Sequence, residues 1–150
     1  GEHLRERGAE FGTTTGRPRR CGWLDLVVLR HAHRMNGFDG VTLTKLDVLG
    51  GISELKICVG YTIDGEPCHE IPADIGRLAR CRPVYESVSG FDALSLEEWL
   101  EIARGAARDG TGFSSLPENA RAYVEKIENL LGFPVISVGV GPDREATIER

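Results

Sequence analysis

The chain has 150 residues, 41% hydrophobic, 27% charged and 7% aromatic. That suits one globular domain and excludes a disordered tail, a collagen-like chain or a coiled-coil repeat. With 23 acidic against 18 basic residues the net charge is −5, which gives no general reason to expect nucleic acid or an anionic membrane surface as partner. No apolar stretch approaches the about 20 residues of a membrane span, and no basic-then-apolar signal opens the chain, so the composition reads as soluble and cytoplasmic.

Gly1-Glu2-His3-Leu4-Arg5-Glu6-Arg7-Gly8 reads as the last turns of a helix closed by Gly8. A chain that opens inside an element reads as a piece of something longer. A polar loop follows, Gly12-Thr13-Thr14-Thr15-Gly16-Arg17-Pro18-Arg19-Arg20, then a helix over Gly22–Asn36 ending at Gly37. At about 100° per residue, Leu24, Val28, His31 and Met35 share its apolar face, with Arg30 and Arg34 opposite. Val41-Thr42-Leu43-Thr44 reads as a strand. Leu55–Ile63 reads as another, with Leu55, Ile57, Val59 and Tyr61 on one face and a hairpin turn at Asp64-Gly65.

Pro83–Val88 is a third strand. Ser95-Leu96-Glu97-Glu98 is a capping box opening a helix through Trp99, Leu100 and Ala103 that stops near Gly110. Pro117 suits the first turn of the last helix, along which Leu116, Ala120, Val124, Ile127 and Leu131 recur until Gly132 and Pro134 end it. Val135-Ile136-Ser137-Val138 then reads as a buried strand running into Gly139-Val140-Gly141-Pro142. Strands separated by long helices predict an α/β fold: a largely parallel sheet flanked by helices, with one antiparallel hairpin. Cys21, Cys58, Cys68 and Cys81 contain no C-x-x-C pair, so they read as reduced, unpaired thiols that pack as small hydrophobes.

Three segments have the residue types that chemistry needs. Thr13–Arg20 combines three hydroxyls, a glycine and three arginines with no acidic residue. Arginine forks match carboxylate and phosphate oxygens two points at a time, so the loop is suited to hold an anion. The competing reading is a solvated basic loop that pairs with acidic neighbours. It is not a phosphate loop of the G-x-x-x-x-G-K-[ST] kind, a pattern that occurs nowhere in the chain.

Thr44-Lys45-Leu46-Asp47 directly follows an apolar strand, and in a parallel sheet ligands lie beyond the carboxyl ends of the strands. An Asp there can accept from two adjacent N–H groups of a guanine edge while the lysine stem lies along the base, as in the [NT]-K-x-D motif of GTP-binding proteins. A lysine–aspartate pair at a strand end is also an ordinary surface feature. Gly139-Val140-Gly141-Pro142 again follows a buried strand; by itself it is an ordinary turn. No Ser–His–Asp, Cys–His or metal-ligand spacing is present, so no catalytic or metal residue is assigned.

Taken together, Glu10–Asp25, Leu43–Leu49 and Gly139–Pro142 resemble the carboxy-terminal part of adenylosuccinate synthetase, and the resemblance extends over essentially the whole chain. It implies part of a P-loop-NTPase-like domain, residues 1–150 being its carboxy-terminal portion. It also implies a cytoplasmic, homodimeric ligase of purine nucleotide biosynthesis. That ligase joins IMP to L-aspartate with GTP and Mg²⁺ through 6-phosphoryl-IMP, giving adenylosuccinate on the route to AMP.

Matched by position, Thr13, Thr14, Thr15, Gly16, Arg17, Pro18 and Arg19 fall on the loop that closes over aspartate. Arg17 falls on a residue that also contacts IMP, and Arg19 on one that contacts GTP. Lys45, Leu46 and Asp47, with Gly139, Val140 and Gly141, fall on the guanine contacts. Where many members have a Ser or Thr in the last strip this chain has Gly139 and Val140, so those contacts would come from the backbone. Pro18 stands where some members have a further arginine. The family's phosphate loop, catalytic Asp and His, and Mg²⁺ ligands belong to its amino-terminal half, so these 150 residues alone are expected to be inactive. The alternative of another class is a stand-alone nucleotide- or anion-binding module without catalysis.

Overall fold

The computed structural model describes residues 1–150. The elements in order are α1 (Glu2–Arg7), β1 (Leu24–Asp25), α2 (Leu26–Asn36), β2 (Val41–Leu43), β3 (Glu54–Ile63), β4 (Glu66–Cys68), α3 (Ile75–Leu78), β5 (Arg82–Ser89), α4 (Leu96–Asp109), α5 (Glu118–Leu131), β6 (Val135–Gly139) and β7 (Thr147–Glu149). The strands form two sheets rather than one.

In the first sheet β3 is the trunk. β1 runs parallel to it (Leu24↔Ile57), β4 antiparallel (Tyr61↔Cys68), and β5 antiparallel from Glu54↔Ser89 to Thr62↔Arg82. Because Ile57 pairs with both Leu24 and Glu86, β1 and β5 lie on opposite edges of β3. The second sheet has the order β2-β6-β7, with β2–β6 parallel and β6–β7 antiparallel. The α/β class therefore stands, but within this chain the sheet is not largely parallel. Alternation of apolar residues reports which face is buried and is the same in both directions; the connections set direction.

The Asp64-Gly65 turn joins β3 to β4 with φ of +53° and +92°, the positive values that a two-residue hairpin turn demands. Ser95 caps α4 as expected: its side chain accepts from Glu98 N–H, and the Glu98 carboxylate accepts from Ser95 N–H at 2.7 Å. Pro117 occupies the cap position of α5 rather than its first turn.

The predicted helix over Gly22–Asn36 begins only at Leu26, because Asp25 Oδ1 accepts from Val27 and Val28 N–H and fixes the start there. Its buried face is also different. Leu26 and Val27 are buried while Val28 and Met35 are exposed. Arg30 points inward and donates to the carbonyls of Val59 (3.3 Å) and Leu130 (2.7 Å).

The face of β3 switches as well. The pairing with β5 slips between Cys58 and Gly60, so Leu55 and Ile57 join the main core while Cys58 and Tyr61 form a smaller cluster with Val27.

The main core spans both sheets. Leu55 and Ile57 from β3, Trp99 from α4, Val124 and Ile127 from α5, and Val135, Val138 and Ile148 from β6 and β7 are all fully buried. Burial of large apolar side chains like these contributes about 1.5–3 kcal/mol each. The four cysteines are free, and no helix is long and apolar enough to cross a membrane.

Candidate functional site

The parallel pairing of β2 with β6 puts their carboxyl ends side by side, with Leu43 opposite Val138. The Thr42 and Ser137 hydroxyls, 2.8 Å apart, clasp the two strands one step earlier. Lys45 follows β2 in a left-handed conformation (φ +60°, ψ +37°) and leads into a single tight turn, Leu46–Leu49. A methyl added at Gly139 would lie 3.6 Å from Thr44 Cα and 3.9 Å from Lys45 N. The structure thus lays the start of the Lys45–Asp47 segment against Gly139, the start of the Gly139–Gly141 strip.

Side chains within this strip have different fates. Leu46 and Val140 are fully buried in the core, so only their backbones face the strand ends. Val140 N–H is already given to Ala146 O at 2.8 Å. Asp47 is half-buried, and its Oδ1 is buried without a hydrogen-bond partner. Burial pushes the Asp47 carboxyl above its ordinary value. Its own backbone N–H, the Arg7 guanidinium, Val48 N–H and Lys45 hold it back only in part. A buried carboxylate oxygen left unpaired is costly, and it is suited to receive a donor from outside the chain.

The basic loop is a small protrusion beside this edge. Phe11 and Pro18 form an isolated antiparallel bridge, Gly12 N–H donates to Arg17 O at 2.8 Å, and Gly16 N–H donates to Gly12 O at 2.8 Å. Gly16 has φ +63°, which favours glycine. Residues 13–20 are all exposed, and Arg17 N–H reaches Thr15 Oγ1 at 3.3 Å. The tip Thr13–Gly16 and the Arg17 side chain are not joined to the strand-end strip.

Arg19 is joined to it. Its Nη1 lies 2.7 Å from Glu10 Oε2, and the other Glu10 oxygen accepts from Lys45 Nζ. Lys45 Nζ also donates to Gly8 O at 2.6 Å. The loop therefore has an acidic counterpart, which the composition of residues 13–20 hides because Glu10 lies just before them. Lys45 first and then Arg19 hold the Glu10 carboxyl below its ordinary value. Sequence reasoning also missed Arg7, which donates to Gly50 O at 2.5 Å beside Asp47. No three His, Cys, Asp or Glu side chains gather as a metal-holding group.

A sequence model of the family described as Adenylosuccinate synthetase matches residues 1–148. The chain is 47% identical over 148 residues to a protein named Adenylosuccinate synthetase from Geobacter metallireducens, covering 99% of this chain and 32% of that one. It is 50% identical over 148 residues to a protein of the same name from Myxococcus xanthus, covering 99% and 31%. Among solved structures, fully ligated adenylosuccinate synthetase from Plasmodium falciparum superimposes with a TM-score of 0.84 at 39% identity, over 100% of this chain and 34% of that one. The chain spans about a third of the length of the curated relatives it matches.

Proposed function

The chain belongs to the adenylosuccinate synthetase family, and on that premise we propose that it is the carboxy-terminal part of a GTP-dependent ligase. The enzyme joins IMP to L-aspartate and forms adenylosuccinate, a step of purine nucleotide biosynthesis towards AMP. On the same family grounds it works in the cytoplasm as a homodimer with Mg²⁺, whose ligands lie outside these 150 residues. The fold belongs to a P-loop-NTPase-like domain; the parallel β2–β6 pair with its loops at the carboxyl ends supports that assignment.

In this reading Lys45, Leu46 and Asp47, with the backbone of Gly139, Val140 and Gly141, receive the guanine. The Asp47 carboxylate accepts from the ring N–H and the exocyclic amine, and the lysine stem lies along the base. Thr13, Thr14, Thr15, Gly16, Arg17, Pro18 and Arg19 form the loop that closes over L-aspartate. Arg17 also reaches IMP, and Arg19 reaches GTP. What the loop supplies is a two-point guanidinium grip on carboxylate or phosphate oxygens and exclusion of water from the joining atoms. Phosphoryl transfer itself depends on positioning and charge stabilisation by groups these residues do not include.

The observation that carries the reading is the unpartnered, buried Asp47 Oδ1, two residues beyond Lys45, whose backbone lies against Gly139 at the ends of two parallel strands. The experiment is nucleotide discrimination by the full-length enzyme. Asp47→Asn should weaken GTP more than ITP, because hypoxanthine lacks the exocyclic amine. Losing one charge-assisted hydrogen bond is worth about 1.5–3 kcal/mol, or about 10- to 150-fold in affinity. An equal loss for both nucleotides overturns the assignment of Asp47.

A further inference from the structure

We propose that Glu10 is a positioning residue that couples the arginine loop to the guanine-reading segment by holding Arg19 on one carboxylate oxygen and Lys45 on the other. The inference rests on the reading that GTP is taken at Lys45–Asp47 and L-aspartate under the loop.

Glu10 is the least exposed of the three: its side chain is 21% exposed, against 55% for Arg19 and 48% for Lys45. Isolated ion pairs between exposed side chains contribute little, since two flexible chains lose freedom for a screened attraction. Here one carboxylate takes two cations, one per oxygen, which sets the distance between them. Backbone bonds tighten the same knot. Arg19 N–H donates to Glu10 O at 2.9 Å, and Arg5 Nε donates to Arg19 O at 2.9 Å. Lys45 is fixed from its other side by Gly8 O, and its left-handed backbone opens the turn that contains Asp47.

Movement of the loop base at Arg19 therefore transmits to Lys45, and seating of a base against Lys45 and Asp47 transmits to the loop. Coupling of this kind is reciprocal: each ligand tightens the other by the same factor. Cutting it at Glu10 removes no group that touches either ligand.

The test uses the full-length enzyme and GDP, which cannot drive the forward reaction. The dissociation constant of GDP is measured with and without saturating IMP and L-aspartate. In the parent the two substrates should tighten GDP by about fivefold or more, the lower end of ordinary couplings. Glu10→Gln removes the charge, and Glu10→Asp is too short to hold both cations. In each the ratio should fall to within twofold of unity while GDP still binds.

A ratio that persists in the variants overturns the proposal, whatever happens to melting temperature, as does a parent with no coupling. A parent that binds no GDP overturns instead the guanine reading beneath it. Should neither Glu10 variant fold, Arg5→Gln loosens the same knot at Arg19 O without removing a group that touches either ligand, and must lower the same ratio; an unchanged ratio overturns the proposal.

Discussion

The Tyr61 hydroxyl donates to Asp25 Oδ2 over 2.5 Å, while Asp25 Oδ1 caps α2 through Val27 and Val28 N–H. One carboxylate thus ties the start of α2 to the trunk strand of the first sheet. Burial first, and then the bond to Asp25, pushes the Tyr61 phenol far above its ordinary value.

Tyr61→Phe should therefore destabilise the chain by about 1.5–3 kcal/mol, the range for a hydrogen bond to a charged group. The drop in melting temperature should be about 2–4 °C per kcal/mol for a chain of this size. The pH dependence follows from the direction of the shift. A raised folded value means that the contribution is fully present below the unfolded value of about 10 and is lost as pH rises through the folded one. Thermal melts of parent and Tyr61→Phe should converge above pH about 10; a gap independent of pH would refute the ionisation argument.

Asp47 carries the opposite trade. Its carboxyl is pushed up by burial, so the ionised form is disfavoured in the folded chain without a ligand. The stability held with Asp47 protonated is lost as pH rises through the raised value. Asp47→Asn should then be more stable than the parent at pH 7 by about 1 kcal/mol, the lower end for a group left unpaired in a half-buried place. The gap should close below pH about 4, where the parent carboxyl is protonated in both states. Melting curves across that range decide it, and a parent more stable than the variant at pH 7 contradicts the account.

Arg17→Lys keeps the charge in the exposed loop but not the planar two-point grip. In the full-length enzyme, losing a contact of about 2–3 kcal/mol should lower kcat/KM for L-aspartate by about 30- to 150-fold. Steady-state kinetics with each substrate varied in turn test this. Values within twofold of the parent for every substrate would mean that the loop supplies only diffuse positive charge.

The 150 residues expressed by themselves should make no adenylosuccinate from IMP, GTP and L-aspartate. They contain no G-x-x-x-x-G-K-[ST] loop, and no three acidic, His or Cys side chains gather as a metal site. Turnover by pure protein free of host enzyme would show that these residues hold a phosphoryl-transfer apparatus of another kind.

What could be read from the sequence were features governed by neighbours in the chain. The Ser95–Glu98 capping box, the Asp64-Gly65 turn and the end of α5 at Gly132 each depend on a few consecutive residues, and each stands in the structure. The three segments proposed to meet ligands stand out for the same reason, as strings of residue types directly after a helix or strand. Tertiary structure alone decided the rest. Strand direction was not in the pattern, because parallel and antiparallel strands alternate alike. The buried face of α2 was misread because Arg30, polar by composition, is drawn inward by the carbonyls of Val59 and Leu130. Pairing of Glu10 with Lys45 and the solitary burial of Asp47 Oδ1 belong to residues brought together only when β2 is laid against β6 and α1 against the turn that follows β2. Local rules act over a few residues; charge pairing and desolvation act through space, and only the folded chain sets those distances.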